Sequence, residues 1–364
     1  MRDRWSRARD RGADLPVTLC ARRVLPPMRS DTRRPVQSFE GHSAQIRALA
    51  VSADGTCLVS GSDDRTVRVW NLATGGAVHT LAGHNCEVGT IAVARDSRRA
   101  VSGGADGMLL VWDLEKGRLL RRQSGCRRPV RAILITPDDQ RVVAGGGTPY
   151  SARSSWIGAL LNPTLGAWCL DTGKKSPLPR RRSLLMVTSL AITADGARLF
   201  ADVSSSLIDQ VFGSVALMND RSFVHAWSLS APQPAPPHIV AIHDGVGYAM
   251  AVSLDGQIAI TAHAGSALAV WDVERKHVLR CLEGHAGSVT GIALLEDGAR
   301  VLSASRDGTL LLWNLGASVD PAPLLLGRHD GPINALAMTP DERIVVTGGA
   351  DRTIRLWNLP GRAA

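Results

Sequence analysis

Four stretches of this chain hold a histidine, a hydroxyl and an aspartate in one fixed spacing: His42, Ser60 and Asp64; His84, Ser102 and Asp106; His285, Ser303 and Asp307; His329, Thr347 and Asp351. A hydroxyl beside an imidazole that a carboxylate orients is the arrangement of nucleophilic catalysis, so acyl transfer is the first chemistry to weigh. Each set, however, ends on a tryptophan ten residues beyond the hydroxyl: Trp70, Trp112, Trp313 and Trp357. An active site needs one such set. Four sets that each finish on an indole N–H read instead as buried polar groups that satisfy one another. Their expected role is structural, and no catalytic residue is assigned.

Other motifs supply no reaction either. Gly145-Gly146-Gly147 lacks the G-K-[ST] and the following helix of a phosphate-binding loop, and neither a G-x-S-x-G elbow nor an H-E-x-x-H pair occurs. Asp54, Asp96, Asp138, Asp195, Asp255, Asp297 and Asp341 stand in tetrapeptides such as SADG and TPDD, where a short carboxylate closes a chain reversal. Six cysteines lie far apart without a C-x-x-C pair, which argues against a zinc site or a disulfide framework and fits a reducing cytoplasm. Neither a metal nor a cofactor is expected, and the protein is expected not to be an enzyme.

The elements that must hold the repeated sets follow from spacing. Seven tryptophans, Trp70, Trp112, Trp168, Trp227, Trp271, Trp313 and Trp357, succeed one another at steps of 42, 56, 59, 44, 42 and 44 residues. In five units a turn aspartate precedes the tryptophan by 16 residues and a histidine precedes it by 28, with His243 serving the fifth unit. That unit also keeps Thr261 but has Gly265 in place of the second aspartate. The third and fourth units depart further, with Cys126 and Ser183 at the histidine's place and 14 and 16 extra residues between turn and tryptophan. Segments such as Ile46-Arg-Ala-Leu-Ala-Val51 and Thr66-Val-Arg-Val-Trp70 alternate with period two, so each unit reads as four short strands. A lone four-stranded sheet leaves a face bare, and stacking like units around a ring covers it.

Gly41-His42, Gly83-His84 and Gly284-His285, taken with Trp70-Asn71, Trp112-Asp113, Trp271-Asp272, Trp313-Asn314 and Trp357-Asn358, resemble the WD40 repeat over about residues 35 to 360. The resemblance implies an all-β, seven-bladed propeller of four-stranded antiparallel blades. It also implies that the His, hydroxyl, Asp and Trp sets are that family's hydrogen-bonded tetrads, and that the function is protein–protein interaction on a non-catalytic scaffold. Trp357 then lies on the third strand of the last blade, and residues 36–39 are expected to supply its fourth strand and close the ring.

Composition narrows the partner classes. With 45% hydrophobic and 21% charged residues and a mean hydropathy of +0.01, the 364-residue chain reads as soluble and globular, with one propeller domain over residues 35–364. No apolar run reaches the length of about 18 residues that a membrane helix needs, so membrane insertion is not expected. Residues 1–34 carry ten arginines and four aspartates, +6 of the net +9, and read as a disordered arm in which Met1 or Met28 could be the true start. Such an arm gives the alternative function, a nucleic-acid-binding module that works through phosphate contacts. The expected protein is a cytoplasmic monomer whose partners are proteins or peptides.

In a four-stranded meander the links between blades share one end with the turns between second and third strands. Both insertions fall at such turns, residues 148–161 and 204–220, and are expected to rise side by side. Tyr150, Trp156, Ile157 and Leu160 in one, with Leu207, Ile208, Val211 and Phe212 in the other, form the expected partner-binding ridge, anchored on Trp156 and Phe212. The proline-rich stretch 231–237 reads as a plain loop.

Overall fold

Period-two alternation and aspartate turns produce the same four-stranded meander in unit after unit. The computed structural model describes residues 29–30, 34–126, 129–147, 165–176, 178, 186–204, 221–229, 238–244, 247–262, 266–316 and 322–361. The first blade runs Ile46–Val51, Cys57–Ser62, Thr66–Asn71 and Ala77–Ala82, each strand antiparallel to the one before. Seven such sheets account for the fold, and the described residues contain no helix. Inner strands Ile46–Val51, Val88–Val93, Val130–Ile135, Met186–Ile192, Ala249–Val252, Val289–Leu294 and Ile333–Met338 neighbour one another in order, the last against the first, so the ring is closed.

The core lies in the seams between blades. Val59, Val67 and Leu81 of the first blade pack on Val88, Ile91, Leu110 and Trp112 of the second. Burying one such side chain contributes about 1.5–3 kcal/mol, and the arrangement recurs at every seam. Second strands are covered on both faces, as at Cys57–Ser62, while an outer strand such as Arg118–Ser124 is mostly exposed and correspondingly basic. Close stacking needs small residues at one register position of the second strand. A Cβ at Gly61 would lie 2.7 Å from Val88 Cγ1, one at Gly103 2.7 Å from Val130 Cγ1, and one at Gly348 2.6 Å from Ile46 Cγ2.

The N-terminal strand closes the last blade as expected. Gln37–Phe39 pairs antiparallel with Ile354–Asn358, and the Val36 N–H donates to the Leu356 carbonyl at 2.8 Å. Phe39 is buried and stacks on Trp70 of the first blade with ring centroids 5.7 Å apart, so this strand ties the seventh blade to the first. Within the stretch read as an arm, Arg29–Ser30 pairs parallel with Leu324 and Leu325 as a fifth strand of the sixth blade. Cys57, Cys86, Cys126 and Cys169 are free thiols, whereas Cys281 is disulfide-bonded, a bridge that cysteine spacing did not predict.

Candidate functional site

At one end of the ring each blade turns on its aspartate. In all seven turns the carboxylate accepts the backbone N–H two residues on, from Thr56, Arg98, Gln140, Ala197, Gln257, Ala299 and Arg343, at 2.8 to 3.1 Å. Hydrogen bonds of this kind stabilise the ionised form. The Ser52 hydroxyl, with the Thr56 N–H, holds the Asp54 carboxyl below its ordinary value, and Thr339 with the Arg343 N–H does so for Asp341. These aspartates are engaged in the turns themselves.

The opposite end is fixed by the tetrads, because each histidine sits in a blade link and each second aspartate in the neighbouring turn. In the first blade His42 Nδ1 lies 2.7 Å from Asp64 Oδ2, His42 Nε2 lies 2.7 Å from Ser60 Oγ, and the Trp70 indole N–H donates to Ser60 Oγ at 2.8 Å. The sixth blade repeats this through His285, with Asp307 at 3.2 Å and Ser303 at 2.7 Å, and the Trp313 N–H reaches Ser303 at 2.7 Å. The seventh does so through His329, with Asp351 at 2.9 Å and Thr347 at 2.7 Å, and the Trp357 N–H reaches Thr347 at 2.7 Å. All donors and acceptors match when a neutral histidine gives its Nδ1 proton to the aspartate, takes the hydroxyl proton at Nε2, and leaves the hydroxyl oxygen to the indole. Burial holds the His42 imidazole below its usual pKa despite Asp64. Burial acts to raise the Asp64 carboxyl, but hydrogen bonds from Thr66 and His42 outweigh it and the carboxyl ends below its ordinary value. Asp307 and Asp351 are likewise held well below the carboxylate range, against burial, by their histidine and threonine partners.

The second blade is looser. His84 Nε2 and the Trp112 N–H both meet Ser102 Oγ at 2.8 Å, but His84 Nδ1 stands 3.7 Å from Asp106. Thr66, Thr309 and Thr353 donate to the tetrad aspartate in the other three blades, and Met108 occupies that place here. In the fifth blade the Trp271 N–H reaches Thr261 Oγ1 at 2.9 Å, while the His243 side chain and residue 265 lie outside the described residues. Cys126, at the histidine's place in the third blade, is buried with its thiol pushed up to about 12, which keeps it protonated and unreactive.

The fourth blade differs in a way that spacing from the tryptophan conceals. Leu199 pairs with Trp227 in the fourth blade as Leu58 pairs with Trp70 in the first, which puts Ala201 where Ser60 stands. The Trp227 indole N–H is consequently buried without an acceptor among the described residues. Counting back from the tryptophan fails across an insertion, whereas counting six residues forward from the turn aspartate finds Ser60, Ser102, Ala144, Ala201, Thr261, Ser303 and Thr347. One residue further on, the position that is Gly61 in the first blade is Asp202, fully buried at the seam with the fifth blade against Gly247, where a Cβ would have no room.

The tetrad end also carries a feature that no spacing announced. Six inner strands bulge at one register position, at Arg47, Gly89, Arg131, Thr188, Thr290 and Asn334, and Tyr248 holds the matching place in the fifth blade. A bulge re-aims the side chain of its extra residue, here at the mouth of the ring. Most of these groups are bound within the protein. Arg47 grips Asp63 through Nε and Nη2, Thr188 donates to the Asp202 carbonyl, and Thr290 and Asn334 donate to the carbonyls of Ile333 and Ile46 on the next inner strand. Arg131 gives its Nε–H to the Gly147 carbonyl at 3.0 Å. The Arg306 guanidinium, from the turn of the sixth blade, lies 5.5 Å from the centre of the Tyr248 ring.

The ridge candidates Tyr150, Trp156, Ile157, Leu160, Leu207, Ile208, Val211 and Phe212 lie outside the described residues, as does the stretch 231–237. The bases of both insertions are described. Gly145 pairs with Leu165 and Ser204 with Ser222, so both insertions leave from the tetrad end.

Comparison with known proteins agrees with the blade geometry. The WD domain, G-beta repeat family matches residues 33–71, 75–113, 276–314 and 324–358, which covers the four blades whose His, hydroxyl, Asp and Trp sets were read from spacing. NACHT domain- and WD repeat-containing protein 1 of Homo sapiens is 38% identical over 73 residues, 20% of this chain and 5% of that protein. The Arabidopsis thaliana U3 snoRNP-associated protein-like protein is 32% identical over 127 residues, 34% of this chain and 24% of its own length. Drosophila melanogaster Protein groucho is 26% identical over 96 residues, 26% of this chain and 13% of its own length. The chain thus spans less than a quarter of each of these relatives.

Proposed function

Starting from a chain that belongs to the WD40-repeat propellers, we propose that it is a non-catalytic interaction scaffold that binds proteins or peptides on the tetrad end of the ring. The observation that carries this reading is the hydrogen bonding of the candidate nucleophiles. Ser60, Ser102, Ser303 and Thr347 are fully buried, and each accepts a tryptophan N–H at 2.7 or 2.8 Å, so a substrate has no access to them. The same bonds fasten blade links to turns and make the tetrad end a rigid platform. Bulged inner-strand residues and the bases of both insertions converge there.

Affinity capture from the host's lysate tests the choice of face. Gly89 is exposed at the mouth, and a Cβ there would meet nothing nearer than the Val130 carbonyl oxygen at 3.6 Å, so Gly89→Trp, once matched melting is confirmed, serves to obstruct the mouth. Leu254, 53% exposed in an aspartate turn, marks the other end, and Leu254→Trp is the matched control. A specific partner lost with Gly89→Trp and kept with Leu254→Trp is the expected result, and the reverse pattern would move the site to the aspartate-turn end.

A second reading, nucleic-acid binding through the arginine-rich residues 1–34, draws on their +6 charge and on the name of the U3 snoRNP-associated relative. It predicts an affinity for duplex or single-stranded oligonucleotides that falls steeply with salt and disappears when the first 34 residues are removed.

A further inference from the structure

The mouth of the ring is chemically lopsided. On the first and second blades its charges are Arg47, already held by Asp63, and the exposed carboxylate of Glu87. On the third, fifth and sixth blades stand Arg131, Tyr248 and Arg306, all three exposed. Among the described residues neither Arg131 nor Arg306 has a carboxylate partner, and Arg131 bonds through its Nε–H, so its outer guanidinium nitrogens are left to bind. The Tyr248 ring holds Arg306 by a cation–π contact, and Arg131 stands at the matching inner-strand position of the third blade, so side chains from three blades share this part of the mouth.

We propose that this arc binds an acidic side chain of a peptide partner, a glutamate or aspartate whose carboxylate is received by the guanidinium groups of Arg131 and Arg306 beside the Tyr248 ring. The inference rests on the reading of the tetrad end as the binding face and adds the chemistry of what it binds. A guanidinium presents paired N–H donors that match the two oxygens of a carboxylate, which gives directional recognition as well as charge. On this side of the mouth two guanidinium groups stand without a carboxylate partner among the described residues, and like charges grouped in this way attract the opposite sign from further away. Partial desolvation by the surrounding strands holds the Arg131 guanidinium below its usual pKa, and a bound carboxylate would favour its charged form. The remaining bulge residues do not compete for this role. Gly89 has no side chain, and Thr188, Thr290 and Asn334 are bonded to backbone carbonyls.

A random 12-residue peptide display library, selected on the full chain and on an Arg131→Gln, Arg306→Gln double variant, tests the proposal with no partner in hand. Peptides enriched on the unaltered chain should share one glutamate or aspartate position. In fluorescence anisotropy, changing that residue to Gln or Asn should weaken binding at least tenfold. On the double variant the acidic and amide peptides should bind alike, while Arg352→Gln, exposed on the same end in the seventh blade, should preserve the tenfold distinction. Failure to enrich any peptide, enrichment without an acidic position, or an acidic preference that survives in the double variant would each overturn the proposal. So would a single-stranded oligonucleotide that displaces the peptide through the same two arginines. The Gly89→Trp chain separates the two levels of failure. Selected peptides that still bind it sit elsewhere, which refutes the choice of face. Peptides blocked by it but indifferent to the arginines refute only the acidic recognition.

Discussion

Ala201→Ser in the fourth blade should make this protein more stable. The Trp227 indole N–H is buried with no acceptor among the described residues, and Ala201 holds the register position from which Ser60, Ser102 and Ser303 accept an indole N–H at 2.7 to 2.8 Å. An unsatisfied buried donor costs about 1–3 kcal/mol, and a hydrogen bond formed in its place contributes about 1 kcal/mol net. Against this stands the desolvation of the new hydroxyl, whose own proton has no tetrad histidine to meet, because Ser183 stands where that histidine would be. The balance is a gain of about 1 kcal/mol. For a ring of roughly 300 residues, an unfolding entropy of about 2 cal/mol/K per residue makes this a rise in Tm of about 1.5 °C. Urea titration followed by tryptophan fluorescence should show a higher midpoint at an unchanged slope, and Ala201→Cys, similar in size but a weak acceptor, should show no gain. A serine variant at or below the parent midpoint would refute the reasoning and mean that the indole is satisfied in another way.

Two further perturbations probe the ring as a whole. Phe39→Ala removes a buried ring that stacks on Trp70 across the closing seam, and a core Phe→Ala change costs about 3–5 kcal/mol, so thermal unfolding should begin several degrees lower; an unchanged Tm would mean the N-terminal strand does not close the ring. Stability should also decline in two stages on acidification. His42 and His84 are held below 6.5 by burial, so the unfolded chain takes up their protons first and the stabilisation present above that pH falls below it. Asp64, Asp307 and Asp351 are held below 3.8, so their contribution is complete above that value and is lost as pH falls further. Urea midpoints measured between about pH 8 and pH 3 should show both stages, and a flat profile down to about pH 5 would refute the histidine part.

Much of this molecule is written locally along the chain. The spacing of His42, Ser60, Asp64 and Trp70, repeated in four blades, announced both the ring and the bonds that hold it, because a strand period of two and a turn aspartate act within one unit. Residues 36–39 were legible as a strand, and the structure pairs Gln37–Phe39 with Ile354–Asn358 as a fourth strand of the last blade. Ala201 was legible in principle, but the insertion before Trp227 broke the count that located the other hydroxyls.

Ring closure decided what the chain could not announce. Asp202 looks like any strand residue in the sequence, and only the seam shows it buried against Gly247. Arg131, Tyr248 and Arg306 are separated by more than fifty residues at each step, and no local pattern links them. Tyr248 and Arg306 meet because the start of an inner strand and the turn of the next blade open at the same end of the ring, and the bulge of the third blade puts Arg131 at the matching inner-strand position there. The sequence by itself therefore determined the repeat, the blade and the tetrads, which depend on neighbours within one unit. The tertiary structure alone decided which side chains from distant units face one another, because that depends on closing the seven units into a ring.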